Sequence, residues 1–171
     1  ALLSMLLAVA VVIGVPSVAN AAPGDFTVTL DAPETVSVGQ NYNYVATLEF
    51  EGVNSENPAT RVELTTTLPS GTAFVSVPTG ANSPVESYSY DAATRLLSLV
   101  LKDTTQSLLS IVYTVSQVEN HNKHEGTVLS ASMTGIGAPS GPVPSNTVNT
   151  AVTGDNNYSA RWVRTLSESG V

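Results

Sequence analysis

From Phe26 to Val152 apolar residues recur with a period of two, and that period confines the chain to strands. Phe26-Thr27-Val28-Thr29-Leu30 alternates apolar and polar side chains, as a half-buried strand does. Similar runs cover residues 35–38, 42–50, 61–68, 73–77, 85–90, 95–101, 108–118, 127–133 and 148–152. Breakers separate them: a Gly/Asn/Ser/Glu stretch over 51–58, Pro69-Ser70-Gly71, residues 79–84, the short connection 91–94, residues 102–106, and a Gly/Pro/Ser stretch over 135–144. Proline presets φ and glycine permits positive φ, so each is a turn signal with a mechanism. No helical period of useful length intervenes, and a parallel sheet needs crossover helices. The pattern predicts an all-β fold, an antiparallel immunoglobulin-like β-sandwich, with a closed β-barrel as the alternative.

Ahead of the strands lies an almost unbroken apolar stretch from Leu2 to Val15, closed by Pro16 and followed by Val18-Ala19-Asn20-Ala21-Ala22. This is the h-region and small-residue cleavage pattern of a secretion signal. The run is shorter than the ~20 apolar residues a spanning helix needs. Residues 1–21 read as a signal peptide lacking its basic n-region, as in a fragment of a longer reading frame. The mature part then begins at Ala22 and works outside the cytoplasm, with no membrane span. Residues 22–153 form one module. Residues 154–171 lose the alternation and carry Arg161, Trp162 and Arg164, so they read as a linker or disordered tail outside the core.

The chain holds no cysteine, which excludes disulfides, thiolate metal sites and a cysteine nucleophile. Its formal net charge of −8 repels phosphate backbones, so nucleic acid is not an expected partner. Only 12% of residues are charged, so Ser, Thr, Asn and Gly must supply the polar surface.

The order of motifs is similar to the DUF11-type repeat domain of bacterial surface proteins. The likeness rests on Val38-Gly39-Gln40-Asn41-Tyr42-Asn43-Tyr44 and on the strand Val62-Glu63-Leu64-Thr65-Thr66-Thr67 running into Leu68-Pro69-Ser70-Gly71-Thr72-Ala73-Phe74. Tyr90-Asp91-Ala92-Ala93-Thr94-Arg95-Leu96, Ile111-Val112-Tyr113-Thr114-Val115, the stretch 126–133 and Ser145-Asn146-Thr147-Val148 extend it. The chain departs from the pattern in its longer loop over residues 52–58. The resemblance implies a non-catalytic structural or adhesive module, an adhesin-like repeat domain that is secreted or displayed on the cell surface. Its implied partners are neighbouring modules of the same protein and a host or cell-wall protein or glycan. The alternative is a carbohydrate-binding accessory domain of a secreted enzyme. Leu68-Pro69-Ser70-Gly71 lies mid-domain and does not read as a sorting signal.

Candidate chemistry is sparse. His121 and His124, flanked by Glu119 and Glu125, have a spacing that two imidazoles on one ion could use. A polar connection between strands explains them better, and no metal or cofactor is expected. Asp155-Asn156-Asn157 lacks the glycine and distant glutamate of a calcium loop. No G-x-S-x-G elbow is present, both histidines are placed in one loop, and no enzyme activity is expected. Lys102 and Lys123 are the only lysines that a lysine–asparagine crosslink could use, and exposed strand ends are the expected place for both. Tyr42 with Tyr44, and Tyr88 with Tyr90, share a sheet face in each pair. Cross-strand packing is the expected role, and an aromatic platform for sugar the alternative.

Overall fold

The computed structural model describes residues 26–119, 123–134, 139 and 141–154. Twelve strands and no helix lie among them: β1 (Phe26–Asp31), β2 (Thr35–Ser37), β3 (Asn41–Phe50), β4 (Glu63–Thr67), β5 (Thr72–Ser76), β6 (Val85–Asp91), β7 (Leu96–Leu101), β8 (Leu108–Gln117), β9 (Lys123–Thr127), β10 (Leu129–Ser132), β11 (Val143–Pro144) and β12 (Val148–Thr153). They form two open layers, so the fold is an immunoglobulin-like sandwich and the closed-barrel alternative falls.

One layer has the order β1-β3-β8-β5. The other has the order β11-β10-β4-β7-β6 and continues into β2-β12-β9. The continuation is covalent: β9 and β10 meet at Val128, and β11 and β12 are joined by residues 145–147. Ser145 N–H donates to Leu129 O at 2.8 Å, so the two bent strands stay paired through the corner. The first segment splits in the same manner. β1 pairs antiparallel with β3, then the chain crosses the sandwich and β2 pairs in parallel with β12, Val36 opposite Val152.

Alternation sorts the side chains between core and surface. On β3 the even positions Tyr42, Tyr44, Ala46, Leu48 and Phe50 are buried; on β8 the odd positions Leu109, Ile111, Tyr113, Val115 and Gln117 are buried. From the facing layer come Leu64, Leu97, Leu99, Leu101 and Leu129, all fully buried. Burying a side chain of that size contributes roughly 1.5–3 kcal/mol, and this core holds the module together without disulfides. Leu68-Pro69-Ser70-Gly71 is a turn with Leu68 in the core and Gly71 at φ +80°. The Gly71 carbonyl accepts from Val118 N–H, Glu119 N–H and the Gln117 side-chain amide, which ties this turn to the end of β8.

Three details differ from the sequence reading. Residues 127–133 are not one strand: the run breaks at Val128, where the chain passes from one part of the layer to the other. Lys123 to Gly126, expected as loop, join Thr127 in β9, and Val143–Pro144, read as part of an interrupting stretch, is β11. The pairing of β9 with β12 is made by backbone groups, so a polar Lys-His-Glu-Gly sequence serves without any apolar alternation.

Candidate functional site

The layer β1-β3-β8-β5 carries an incomplete edge. β3 pairs with β8 along its whole length, from Asn41 opposite Ser116 to Glu49 opposite Leu108. β5 covers the other side of β8 only from Gln117 to Thr114, where its register shifts and ends. Beyond Ser76 the chain turns away through Val77 and Pro78. In an antiparallel ladder alternate residues direct both backbone groups to the same neighbour. Gln117 exchanges bonds with the β3 side, its N–H donating to Gln40 O and its carbonyl accepting from Gly39 N–H. Leu108, Ser110 and Val112, being of opposite parity, direct their N–H and C=O groups away from β3, where no strand among the described residues meets them.

The loop over residues 78–84 stands off from this edge. Between them lies a groove of about 420 Å³, lined by Pro78, Thr79, Ser83, Val85, Ser110 and Val112 among others. It runs on toward Leu108 and Asp103 as a second hollow of about 330 Å³. The outer wall is braced from within. Ser83 Oγ donates to Pro78 O at 2.8 Å and accepts from Val85 N–H at 3.0 Å. Lys102 Nζ donates to the carbonyls of Gly80 and Ala81, and Lys102 N–H to Pro84 O. Lys102 is therefore committed to the wall rather than to an asparagine side chain. Leu108, 56% exposed, marks the open end of the groove.

A second polar feature lies inside the core. Tyr44 and Tyr113 are opposite each other on β3 and β8 and stack with ring centroids 5.2 Å apart at 15°. Tyr42 packs on Tyr44 at 5.5 Å. Their three hydroxyls and Thr150 Oγ1 are buried without a hydrogen-bond partner among the described residues. Burial pushes the ionisation of all three phenols above the ordinary tyrosine range. Tyr88 and Tyr90 sit on edge strand β6 opposite the buried Leu99 and Leu97. Phe74 from β5 packs on both, each ring pair at 5.3 Å, and the three rings close the side of the sandwich. Tyr88 alone of the four paired tyrosines is largely exposed, at 48%, so the four do not assemble into one open platform.

Of the metal-ligand candidates, His121 lies outside the described residues, and His124 is placed by its backbone on β9 opposite Thr150. Among the described residues no group of three or more His, Asp or Glu side chains could hold a metal ion. Asp155-Asn156-Asn157, Trp162 and the segment 1–21 lie outside the described residues. No helix among the described residues is long and apolar enough to cross a membrane. Sequence reasoning missed the groove because its signal is a mismatch of strand lengths. Residues 73–77 are too short to cover 108–118, and that becomes legible only once the two are known to be neighbours.

No family model and no curated protein matches the chain. Solved structures do. The full-length major pilin SpaD of Corynebacterium diphtheriae superposes with a TM-score of 0.60 at 14% identity, over 74% of this chain and 35% of that one. The major pilin subunit BcpA of Bacillus cereus gives 0.59 at 15% identity, over 75% of this chain and 41% of that one. A C-terminal fragment of a Streptococcus agalactiae major pilin gives 0.51 at 10% identity, over 75% and 56%. The chain thus spans little more than a third of the first pilin and about two fifths of the second. At these identities the likeness is one of fold: the chain is an immunoglobulin-like β-sandwich that superposes on part of each of these pilins.

Proposed function

We propose that the chain is a non-catalytic structural or adhesive module of a secreted or cell-surface bacterial protein, of the DUF11-type repeat class, acting beside neighbouring modules. One observation carries the reading: three quarters of the chain superposes as a whole sandwich on part of a major pilin, at a TM-score of 0.60. The surface chemistry supports it. The outward positions of β1, β3 and β8 are mostly uncharged, Thr27, Thr29, Asn43, Thr47, Ser110 and Thr114 among them, with Asp31 and Glu49 the charged exceptions, so this face interacts chiefly at close range. Thr114 Oγ1 donates to Asn43 Oδ1 at 2.8 Å, so part of this face is already ordered. The signal-peptide reading of residues 1–21 supports export. The carbohydrate-binding alternative loses support, because Tyr42 and Tyr44 belong to the core and Tyr90 packs on Phe74.

The test is surface labelling of the native protein. An epitope inserted in the exposed loop at Ser55 is expected to bind antibody on intact cells, and in the culture fluid where the protein is released. Label seen only after lysis would overturn the surface assignment. Sedimentation with insoluble polysaccharides is expected to leave the protein in solution. Retention abolished by Tyr88→Ala would instead establish the carbohydrate reading.

A further inference from the structure

We propose that β6 is the contact of a symmetric dimer, in which a second copy of this chain adds its own β6 antiparallel to the first. The free edge follows from the pairing along β7. Leu101 N–H donates to Val62 O and Leu68 N–H to Arg95 O, so the odd positions there address β4. The even positions address β6, as Lys102 N–H does in donating to Pro84 O. Ser87, Ser89 and Asp91 stand opposite Val100, Ser98 and Leu96 and direct their backbone groups to them. Tyr88 and Tyr90 have the opposite parity. Their N–H and C=O groups point outward, where no strand among the described residues meets them. An unpaired stretch of edge is a template for another strand.

Other edges among the described residues are blunted. The Asn146 side chain occupies Leu30 on β1, and β11 ends in Pro144. β2 has three residues, β5 shifts register after Phe74, and β9 opens with Lys123. Side-chain caps apart, short length, proline, bulges and charge are the devices by which sheets avoid edge-to-edge pairing. On β6 such devices sit only at the ends: Glu86 in the bulge between Val85 and Ser87, and Asp91 at the turn into β7. Between them Ser87-Tyr88-Ser89-Tyr90 is uncharged, and Tyr88 is 48% exposed.

The occupant is a second copy because the strand is complementary to itself. A two-fold axis at Ser89 sets Tyr88 opposite Tyr90 of the second copy, and Tyr90 opposite Tyr88. That register pairs all four free backbone groups of each chain. In the neighbouring registers one tyrosine meets its own copy, and the other falls against Glu86 in the bulge or Ala92 in the turn. Side chains favour the same register. Tyr88 and Tyr90 point to the inner face, opposite the buried Leu99 and Leu97, with Phe74 packed on both at 5.3 Å. The dimer therefore gains two cross-strand tyrosine pairs, flanked by the two Phe74 rings. On the outer face Ser89 meets Ser89, and Ser87 meets Asp91, a hydroxyl opposite a carboxylate. Glu86 faces Ala92, so no like charges stand opposite each other, an arrangement that would be destabilising. The contact is isologous and closes on itself. A contact this short belongs to the weak class below about 1,200 Å², so it forms where copies are held at high local concentration.

The chain has no cysteine, so single thiols report the register without background. The two Ser89 residues form a non-hydrogen-bonded pair with Cα atoms about 4.5 Å apart, within reach of a disulfide. The two Ser87 residues lie four positions apart along the strands, about 13 Å, beyond that reach. Full-length Ser89→Cys and Ser87→Cys proteins are oxidised under native conditions and resolved by non-reducing electrophoresis. Ser89→Cys is expected to form covalent dimer at least about tenfold faster than Ser87→Cys, because only its thiols meet. Adding Tyr88→Lys, a charge directed inward at the edge, is expected to abolish that difference, with far-UV circular dichroism confirming that the sandwich is still folded. Equal rates for the two thiols, faster crosslinking of Ser87→Cys, or no covalent dimer from either would each overturn the proposal. None of these outcomes touches the surface-module reading, which rests on the fold and is tested on cells.

Discussion

Tyr42, Tyr44 and Tyr113 show how one residue type fills the core and taxes it. Each ring gives the sandwich a large apolar area, and the stacked Tyr44–Tyr113 pair adds a contact beyond area alone. Each hydroxyl is buried without a well-formed hydrogen bond among the described residues, although Tyr42 and Tyr44 interact with each other, Tyr44 with Thr127 and Tyr113 with Thr66; a buried hydroxyl left unmet costs about 1–3 kcal/mol. Removing a hydroxyl and keeping the ring therefore costs little. Tyr44→Phe is expected to leave stability unchanged or raise it by up to about 1 kcal/mol, whereas Tyr113→Ala should lose about 3–5 kcal/mol. Urea unfolding of the two variants decides it; a loss beyond about 1.5 kcal/mol in Tyr44→Phe would reveal a hydrogen bond at that hydroxyl. The same burial sets a pH dependence. The unfolded chain releases these phenolic protons near pH 10, while the folded protein holds them, because burial raises their ionisation. Protons bound only by the folded state mean that stability is full below about pH 10 and falls as pH rises above it, by up to about 1.4 kcal/mol per pH unit for each phenol. Melting temperatures from pH 8 to 11.5, read beside phenolate absorbance, check this; ionisation of all six tyrosines in one step near pH 10 without unfolding would contradict it. That Tyr42 and Tyr44 share a face was legible in their spacing, whereas the fate of their hydroxyls was not, since it depends on what β9, β12 and β4 bring from the other layer.

At the scale of the element, the chain relies on side chains where strands change direction. Asn146 sits in the bend between β11 and β12. Its Oδ1 accepts from Leu30 N–H at 2.7 Å, and its Nδ2 donates to Leu30 O at 2.9 Å. A side-chain amide thus stands in for a strand partner at the end of β1. Asn146→Ala would leave two backbone groups unmet and is expected to cost about 2–4 kcal/mol. Asn146→Asp keeps only the acceptor and should recover part of that. Thermal melts of both should rank Asn above Asp above Ala, and an unchanged Ala variant would show that β1 does not depend on the bridge. Gly126 marks the other bend at φ +74°, with its N–H donating to Asn149 Oδ1 at 3.0 Å. A Cβ there would meet nothing within 4 Å, so Gly126→Ala isolates the backbone cost of a left-handed residue. A loss of about 1–2 kcal/mol is expected from denaturant unfolding, and a neutral result would show that the bend opens to accept alanine. These bends also explain what the sequence concealed. Strands β3, β4, β7 and β8 announced themselves because one face of each is buried. Strand β9 is polar and edge-like, and the Val128 corner lies inside an unbroken alternation, because a chain that changes partner needs no change of period.

For the whole molecule, the two layers are held in one unit by pairing between the ends of the chain. β2 leaves the layer of β1 and β3 and pairs in parallel with β12, Val36 and Val152 both buried, across 116 residues of sequence. β12 is the middle strand of β2-β12-β9 and buries Thr150 and Val152. Without it β2 and β9 have nothing to pair with, and the split of the first strand between layers loses its purpose. The fold therefore has a sharp requirement at its C-terminal side. A chain of residues 22–153 is expected to fold, because the ladder and the last core side chain are complete by Val152. A chain of residues 22–147 is expected to lose cooperative unfolding, because it strands Val36, gives up Val152 and exposes two strand edges at once, against a net stability of only about 5–15 kcal/mol. Far-UV circular dichroism with a urea titration distinguishes them: a strand spectrum with one sharp transition for the longer chain, and a broad or absent transition for the shorter. The end of the last strand near Thr153 was legible because alternation stops there, yet what holds that strand was not, since a parallel partner far away at Val36 leaves no mark on the local pattern. If the shorter chain unfolded as sharply and as late as the longer, the closure between β2 and β12 would be ornamental. The unit of folding would then be the antiparallel core of β1, β3, β8, β4 and β7 alone.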